Sequence, residues 1–301
     1  MPEFTGFGFG LLTALFWGLT DFTAKRSVED VDPLAVTVGM QLVGAVFLGL
    51  IGLIVWLVAP GALEFWMQPA GEPFGYWWLM SMLVGVSAIS GVMFAFRSFS
   101  RAPLSVASPI VNTKGMFAAI LAILFLGDVP GVLMALGALF CVSGAVMIGY
   151  ENKEEAARDG THFLQPGVGS ALMGAAGYGA AMAFTQPVVH HGGYGMGLFG
   201  LRLGASLLLI PVAVWQLGWR NILPPRHAWG KVAAVGLLDA GGHVCVLLGY
   251  GLGSSVMVSS LTSIAPAITL ILAFVVLKEH LSRRQWFALG LVGAGIGFLS
   301  V

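Results

Sequence analysis

The sequence is dominated by long runs of apolar residues, most of them close to 20 residues in length. A helix needs about 20 mostly apolar residues to cross the hydrocarbon core of a bilayer. The runs are continuous and do not alternate between apolar and polar residues, so helices rather than strands satisfy their backbone in lipid. We therefore predict an all-α integral membrane protein with ten spanning helices. The predicted spans are 6–24, 33–58, 76–96, 102–126, 131–149, 167–189, 196–217, 229–249, 254–277 and 285–300.

The composition supports a surface that meets lipid. Hydrophobic residues make up 57% of the 301 residues and charged residues 9%, whereas a soluble domain carries about 25% charged residues. The formal net charge is zero, which gives a nucleic-acid partner no electrostatic support. Cys141 and Cys245 lie inside apolar runs, where we expect packing residues and no disulfide. No basic segment precedes the first run, so we expect a retained helix there and not a cleaved signal peptide.

The basic residues fall on one side of this predicted topology. Twelve of the 14 lysines and arginines follow odd-numbered spans, and none lies in the tails or in the connections after even-numbered spans. By the positive-inside rule the basic connections are cytoplasmic. We therefore predict a multi-pass protein of the inner (plasma) membrane with both termini outside the cytoplasm. The twelve residues are Lys25, Arg26, Arg97, Arg101, Lys153, Arg158, Arg220, Arg226, Lys231, Lys278, Arg283 and Arg284.

The two halves of the chain resemble each other. LAILFLGD (121–128) matches LAFVVLKE (272–279), and ALGALFCVSG (135–144) matches ALGLVGAGIG (288–297). These matches occur in the same order in both halves, as expected of an internal repeat. Single positions that match are Gly91 with Gly242, Trp17 with Tyr178, and Gln41 with Arg202.

Each half contains five predicted spans, and five is an odd number, so the second half enters the membrane from the opposite side. Inverted repeats of this kind are common in secondary transporters, which hold the substrate near the midplane between the repeats. The alternative is a chance likeness between leucine-rich helices. We predict a first five-helix repeat over 1–150, a cytoplasmic linker over 151–166, and a second, inverted five-helix repeat over 167–301.

Ten spans in two halves, with FLGD closing span 4, VLKE closing span 9 and a small-residue last helix in each half, resemble the drug/metabolite transporter superfamily, EamA type. Members commonly have an acidic residue after a leucine–glycine pair; Asp128 fits, and Glu279 follows Lys278 in place of the glycine. Many members have an arginine early in the second helix of a half, where Arg202 fits and Gln41 departs. The resemblance implies movement of small metabolites, often efflux, by alternating access.

Ionisable residues inside the predicted spans are candidates for the functional site, because charge at membrane depth is costly. Lys114 and Asp239 lie about 15–18 Å into spans 4 and 8, near the middle of the bilayer. They form either a structural ion pair between the halves or part of the lining of a central cavity. His243 lies one turn after Asp239. That pair offers a route for a coupled proton, since histidine titrates near neutrality.

Other polar and aromatic residues complete the candidate set. Arg202 is an expected anion anchor or a helix-packing residue, with Gln41 as its counterpart. Asp21 is interpreted as a surface partner of Lys25 one turn away. His190 and His191 are expected to be solvated in an outer loop, and no metal site is predicted. The residues expected to line the cavity, with helix packing as the alternative, are Ser108, Asn112, Ser259, Ser263, Trp17 and Tyr178.

These observations predict a secondary active transporter, an exporter or exchanger, for a small polar or amphipathic metabolite. We expect a small-molecule substrate, a coupled proton or counter-substrate, no cofactor, and a monomer or homodimer in the bilayer. No GxxxxGK[ST] motif is present, which argues against ATP hydrolysis by this chain. A passive channel is the first alternative, although no filter-like motif occurs. An intramembrane enzyme is the second, although Asp239 and His243 lack a third catalytic partner.

Overall fold

The computed structural model describes residues 2–59, 61, 74–126, 131–149, 166–252, 258, 261–262 and 264–299. Within these ranges the chain consists of helices and short turns, which confirms the all-α class. The α-helices are α1 Pro2–Val28, α2 Pro33–Val58, α3 Phe74–Phe99, α4 Leu104–Val111, α5 Lys114–Leu121, α6 Val132–Gly149, α7 Val168–Gly195, α8 Leu201–Leu217, α9 Trp229–Leu252, α10 Ala265–Val275 and α11 Arg283–Leu299. Two π-helical segments, Ala122–Leu126 and Met196–Gly200, and a 3₁₀ turn, Arg226–Ala228, complete the order.

Six helical stretches in the described part of the chain are long and apolar enough to cross a membrane, so the protein is a multi-pass membrane protein. They are Gly6–Val28, Pro33–Val58, Gly75–Phe99, Leu104–Phe125, His191–Leu217 and Arg226–Gly249. Ala135–Met147 and Ala265–Val275 are shorter apolar helices. The count of ten spans stays a prediction; Asp128, Ser259, Ser263 and 151–165 lie outside the described residues.

Predicted span 4 is broken in the middle. Pro109 lies inside α4 and has no N–H to donate, so the main-chain pattern loosens there. The chain turns at Asn112 and Thr113, with Thr113 N donating to Ile110 O at 3.1 Å, and α5 begins at Lys114. The break therefore sets Lys114 at the start of a half-helix, a form of irregular backbone that membrane proteins confine to protein-lined cavities.

The connection between predicted spans 6 and 7 is helical, which corrects the expectation of a loop there. His190 and His191 lie within α7, which continues to Gly195 through a kink at Gly193, where φ is 85°. The His191 ring stacks on the Trp77 ring with centroids 4.7 Å apart, so His191 is a half-buried packing residue and not a solvated one. Pro187 in the preceding turn weakens the helix ladder and allows the bend.

The two halves pack reciprocally. α1 packs against α9, and α3 against α7, so the first predicted span of each half lies on the third span of the other. A Cβ added at Gly18 would lie 2.9 Å from Ala265 O, and one at Gly179 would lie 2.6 Å from Lys114 O. Each glycine thus permits the same close approach between helices at a matched position of its own half. This reciprocity is the two-repeat architecture in three dimensions.

The last helices of the halves, α6 and α11, also pack on each other, with a register that corrects the sequence match. Gly144 faces Ala288 O, where an added Cβ would lie at 2.7 Å, and Gly295 faces Gly137 O at the same 2.7 Å. Gly144 is therefore equivalent to Gly295. The sequence match pairs Gly144 with Gly297 instead, because runs of small residues allow several alignments.

The connections that carry the basic residues meet at one end of the helix bundle, called the basic end below. Lys25 Nζ donates to Phe99 O at 2.8 Å, and Lys231 Nζ pairs with Asp30 Oδ2 at 2.7 Å. Through this hydrogen bond Lys231 lowers the pKa of the Asp30 carboxyl. Arg284 Nη2 donates to Met147 O at 3.3 Å. These contacts bring together connections that follow odd-numbered spans, as the distribution of charge along the sequence requires.

The largest buried cluster lies toward the basic end. Phe99, Leu104 and Val232 are fully buried there. Large exposed apolar side chains instead run along α2, α6 and α8, including Val46, Leu139 and Leu207. The interior is therefore tightly packed near the basic end, and the helix faces that point outward suit contact with acyl chains.

Candidate functional site

The acidic residue of the second-half motif has a structural role at the basic end. Glu279 Oε1 accepts a hydrogen bond from Leu104 N at 2.8 Å, and Oε2 accepts one from Ser105 N at 2.7 Å. The carboxylate thus caps the first turn of α4, whose N–H groups have no partner within the helix. It links the connection after α10, in the second half, to the start of a helix in the first half.

An ion pair between α8 and α9 forms the first part of the candidate site. Arg202 Nη2 lies 2.6 Å from Asp239 Oδ2, and the two side chains are 15% and 12% exposed. Arg202 Nη1 also donates to Gln41 Oε1 at 2.6 Å. The guanidinium is therefore held by a carboxylate and an amide, in the forked geometry that makes arginine suitable for buried pairs.

Gln41 and Arg202 occupy equivalent positions in the two halves, and they bond to each other. Gln41 Nε2 donates to Arg202 O at 3.1 Å, and Arg202 Nη1 returns the contact to the Gln41 side chain. The two matched positions therefore lie next to each other where the halves meet. Glutamine at the position that matches Arg202 avoids the repulsion that two facing guanidinium groups would create.

The pairing of Asp239 corrects one of the alternatives drawn from the sequence. Asp239 pairs with Arg202 and not with Lys114, so the polar link between the halves is made by Arg202 and Gln41. Because its guanidinium is already engaged, Arg202 is poorly placed to serve as the free anion anchor that the sequence suggested.

His243 extends this network toward the aromatic residues of α1. Its Nδ1 lies 2.8 Å from Asp239 O and 3.5 Å from Asp239 Oδ1. A carbonyl oxygen can only accept, so the first contact is a hydrogen bond when Nδ1 carries the proton. The imidazole packs edge-on against Trp17, with ring centroids 5.6 Å apart. His243 is 36% exposed and is the most accessible member of the network.

Lys114 is held between two aromatic rings. Its Nζ lies 5.3 Å from the centroid of Trp17 and 5.3 Å from that of Tyr178, a distance at which cation–π attraction operates. Trp17 and Tyr178 are matched positions of the repeat, so each half supplies one ring. Among the described residues no carboxylate lies within ion-pair distance of Lys114 and no acceptor is hydrogen-bonded to it.

Asp21 belongs to this site, which corrects its assignment as a surface partner of Lys25. Ser108 Oγ donates to Asp21 Oδ2 at 3.1 Å, and Asp21 interacts electrostatically with Lys114. Asn112 Nδ2 donates to Ser108 O at 2.9 Å and to Ser108 Oγ at 3.3 Å, and the second contact helps to position the hydroxyl. Lys25 instead donates to main-chain carbonyls at the basic end. The signal was available, because Asp21 lies one helical turn after Trp17 and shares its face.

Trp17 joins the two groups of charges into one polar cluster, because its ring contacts both Lys114 and His243. The cluster contains two cations, Lys114 and Arg202, and two anions, Asp21 and Asp239, so its formal charge is balanced when His243 is neutral. Its residues come from α1, α2, α4, α5, α7, α8 and α9, which include helices of both halves. No group of three or more metal-binding side chains occurs among the residues that the structure describes.

Comparison with known proteins agrees with this architecture. The family described as the EamA-like transporter family matches the chain twice, over residues 4–150 and 165–301. One protein solved by crystallography superposes with a TM-score of 0.62 over 99% of this chain and 98% of its own, at 17% sequence identity. At that identity the superposition shows a shared fold alone. No curated protein sequence matches the chain significantly.

Proposed function

Because the chain belongs to the EamA-like transporter family and is a membrane transporter, we propose that it moves a small polar or amphipathic metabolite by alternating access, as a secondary active transporter. The substrate would bind between the halves, at the polar cluster around Trp17. Reciprocal packing of the halves supports this, since rocking of one repeat against the other is the usual form of alternating access.

The observation that carries the proposal is the environment of Lys114. An ammonium at membrane depth is costly unless it has a partner. The Lys114 ammonium has two aromatic rings as its contacts and no hydrogen-bonded anion among the described residues. The nearby anion, Asp21, is engaged by Ser108. We propose that the substrate supplies an anionic group, such as a carboxylate, to Lys114, while Trp17 and Tyr178 contact its apolar part.

Coupling is proposed to involve Asp239 and His243. The histidine contacts both the main chain and the carboxylate of Asp239, and that carboxylate holds Arg202. Addition of a proton to His243 or Asp239 would change the strength of the Arg202 pair and so bias the packing between the halves. If neither an uncoupler nor an imposed pH gradient changes the transport rate, proton coupling is excluded and exchange with a counter-substrate remains.

We propose that the protein lies in the inner (plasma) membrane, with its basic end on the cytoplasmic side and both termini outside the cytoplasm. The basic end is closed by packing and by the Glu279, Lys25 and Lys231 contacts. Alternating access requires those contacts to open. The gradient that drives the cycle then determines whether the protein exports its substrate or exchanges it.

The test is counterflow in proteoliposomes that contain the purified protein. We expect saturable counterflow of an anionic or zwitterionic metabolite, and we expect Lys114→Gln to raise the half-saturation concentration by about tenfold or more, since a charge-assisted contact is lost. Lys278→Gln is the matched control, because Lys278 is exposed at the basic end. Linear, non-saturable flux would favour a channel, and equal half-saturation concentrations in the two variants would refute the Lys114 site.

A further inference from the structure

A second cavity lies away from the polar cluster, at the basic end of the bundle. It has a volume of about 420 Å³ and is formed by the start of α2, the end of α3 and the end of α8, to which Gln216 belongs. The connections that close the bundle meet at the same end. This cavity is therefore at the level where the helices leave the hydrocarbon and reach the headgroups of one leaflet.

The lining of the cavity is divided between charge and apolar surface. Arg97 lies in the last turn of α3 and Arg101 in the turn that follows it, and Asp32, the residue before α2, also lines the cavity. Met93 and Phe94 provide an apolar wall one turn deeper in α3. The lining thus changes from polar to apolar in the direction of the membrane interior, as a phospholipid does from its headgroup to its acyl chains.

The two arginines are available to a ligand. Both are exposed, and among the described residues neither guanidinium makes an ion pair or a hydrogen bond. Asp32 is partly engaged, because its Oδ1 accepts a hydrogen bond from Leu34 N at 2.8 Å as the cap of α2. The lining therefore carries a formal charge of +1, from two arginines and one aspartate, which one phosphodiester would neutralise.

We propose that this cavity binds an anionic glycerophospholipid of the leaflet at the basic end. The phosphate would bind between Arg97 and Arg101, whose planar groups match phosphate oxygens, and an acyl chain would lie along Met93 and Phe94. Basic pockets between membrane helices are suited to such headgroups. The helices that form the cavity also expose Leu42, Leu83 and Leu207 to the bilayer.

The proposal has a structural consequence that does not depend on the substrate. α2 carries Gln41 and α8 carries Arg202, and these two side chains bond to each other. α3 contacts α7 through Ser87, whose hydroxyl donates to Gly177 O at 3.0 Å. A lipid bound to all three helices would tie one helix of the second half to two helices of the first. Anionic lipid would therefore stabilise the packing of the halves at the basic end.

The test is native mass spectrometry of the delipidated protein in detergent, titrated with phosphatidylglycerol, phosphatidylcholine or soluble glycerol phosphate. We expect phosphatidylglycerol to bind more tightly than phosphatidylcholine, and we expect Arg97→Gln with Arg101→Gln to weaken it about tenfold. Arg220→Gln, which alters an exposed arginine outside the cavity, should bind as the unaltered chain does. Glycerol phosphate should not compete, because it lacks the acyl chains.

The conservative double variant, Arg97→Lys with Arg101→Lys, is the control for a glutamine variant that fails to fold. It keeps the charge and loses the forked geometry, so we expect binding between that of the unaltered chain and that of the glutamine variant. The proposal is overturned if both double variants bind phosphatidylglycerol as the unaltered chain does. It is also overturned if glycerol phosphate competes fully, which would make the cavity a site for soluble phosphate esters.

Discussion

At the scale of single residues, each buried charge of the polar cluster has a different kind of partner. Arg202 has a carboxylate and an amide, Asp21 has a hydroxyl, and Lys114 has two aromatic rings. A cation that contacts aromatic faces and makes no hydrogen bond keeps its hydrogen-bonding capacity for a ligand. The division separates an ion pair between two helices, Arg202 with Asp239, from the cation that we propose contacts the substrate.

The Arg202–Asp239 pair is predicted to be structural. Removal of one partner leaves the other charge buried and uncompensated, which costs about 3–5 kcal/mol. Arg202→Met and Asp239→Leu should each lower the thermal midpoint of the purified protein in detergent, and the double variant should recover most of the loss. Additive losses in the double variant would show that the two residues act independently.

The sequence allowed most residues of this cluster to be nominated, but not their partners. The sequence identifies four candidates because ionisable residues are rare at membrane depth: Lys114, Asp239, Arg202 and His243. The partners depend on how α2, α8 and α9 pack, which the periodicity of single helices does not encode. Asp21 was missed because Lys25, one turn away, offered a sufficient local explanation.

At the scale of helices, breaks and caps determine where the functional side chains lie. Pro109 interrupts span 4 so that Lys114 starts a new half-helix. Glu279 caps the first turn of α4, at the start of the same span. The acidic residue of the motif in the second half, Glu279, is thus explained by its contact with backbone N–H groups. A long apolar run predicts that a span exists, whereas its break at Asn112 and Thr113 follows from local hydrogen bonding.

Glu279→Gln is expected to destabilise the basic end. Glutamine has a single acceptor oxygen, so one of the two charge-assisted hydrogen bonds to the start of α4 becomes a weaker neutral one and the other is lost, which costs about 1–3 kcal/mol. The matched control is Glu29→Gln, which removes only a surface contact with Lys25 at 4.0 Å. Thermal unfolding in detergent should therefore show a clearly larger decrease for Glu279→Gln. Equal decreases would contradict the capping role.

At the scale of the whole molecule, the protein is two similar halves that pack on each other through equivalent contacts. The repeat was visible in the sequence because LAILFLGD and LAFVVLKE keep their order relative to other matches. The register of α6 and α11 was not, since small residues recur too often to fix an alignment. The polar cluster lies where both halves contribute side chains, as expected of a site that is exposed alternately to the two sides of a membrane.

The central claim is that Lys114 lines a substrate site reached in turn from both faces of the membrane. The direct test places Lys114→Cys in a protein with Cys141→Ala and Cys245→Ala, reconstituted in sealed vesicles of one orientation, and applies an impermeant cationic methanethiosulfonate from each side. We predict modification from either side, slowed by substrate, and partial recovery of counterflow because the reagent restores a positive charge. Modification from neither side, or a rate unaffected by every transported solute, would contradict the account.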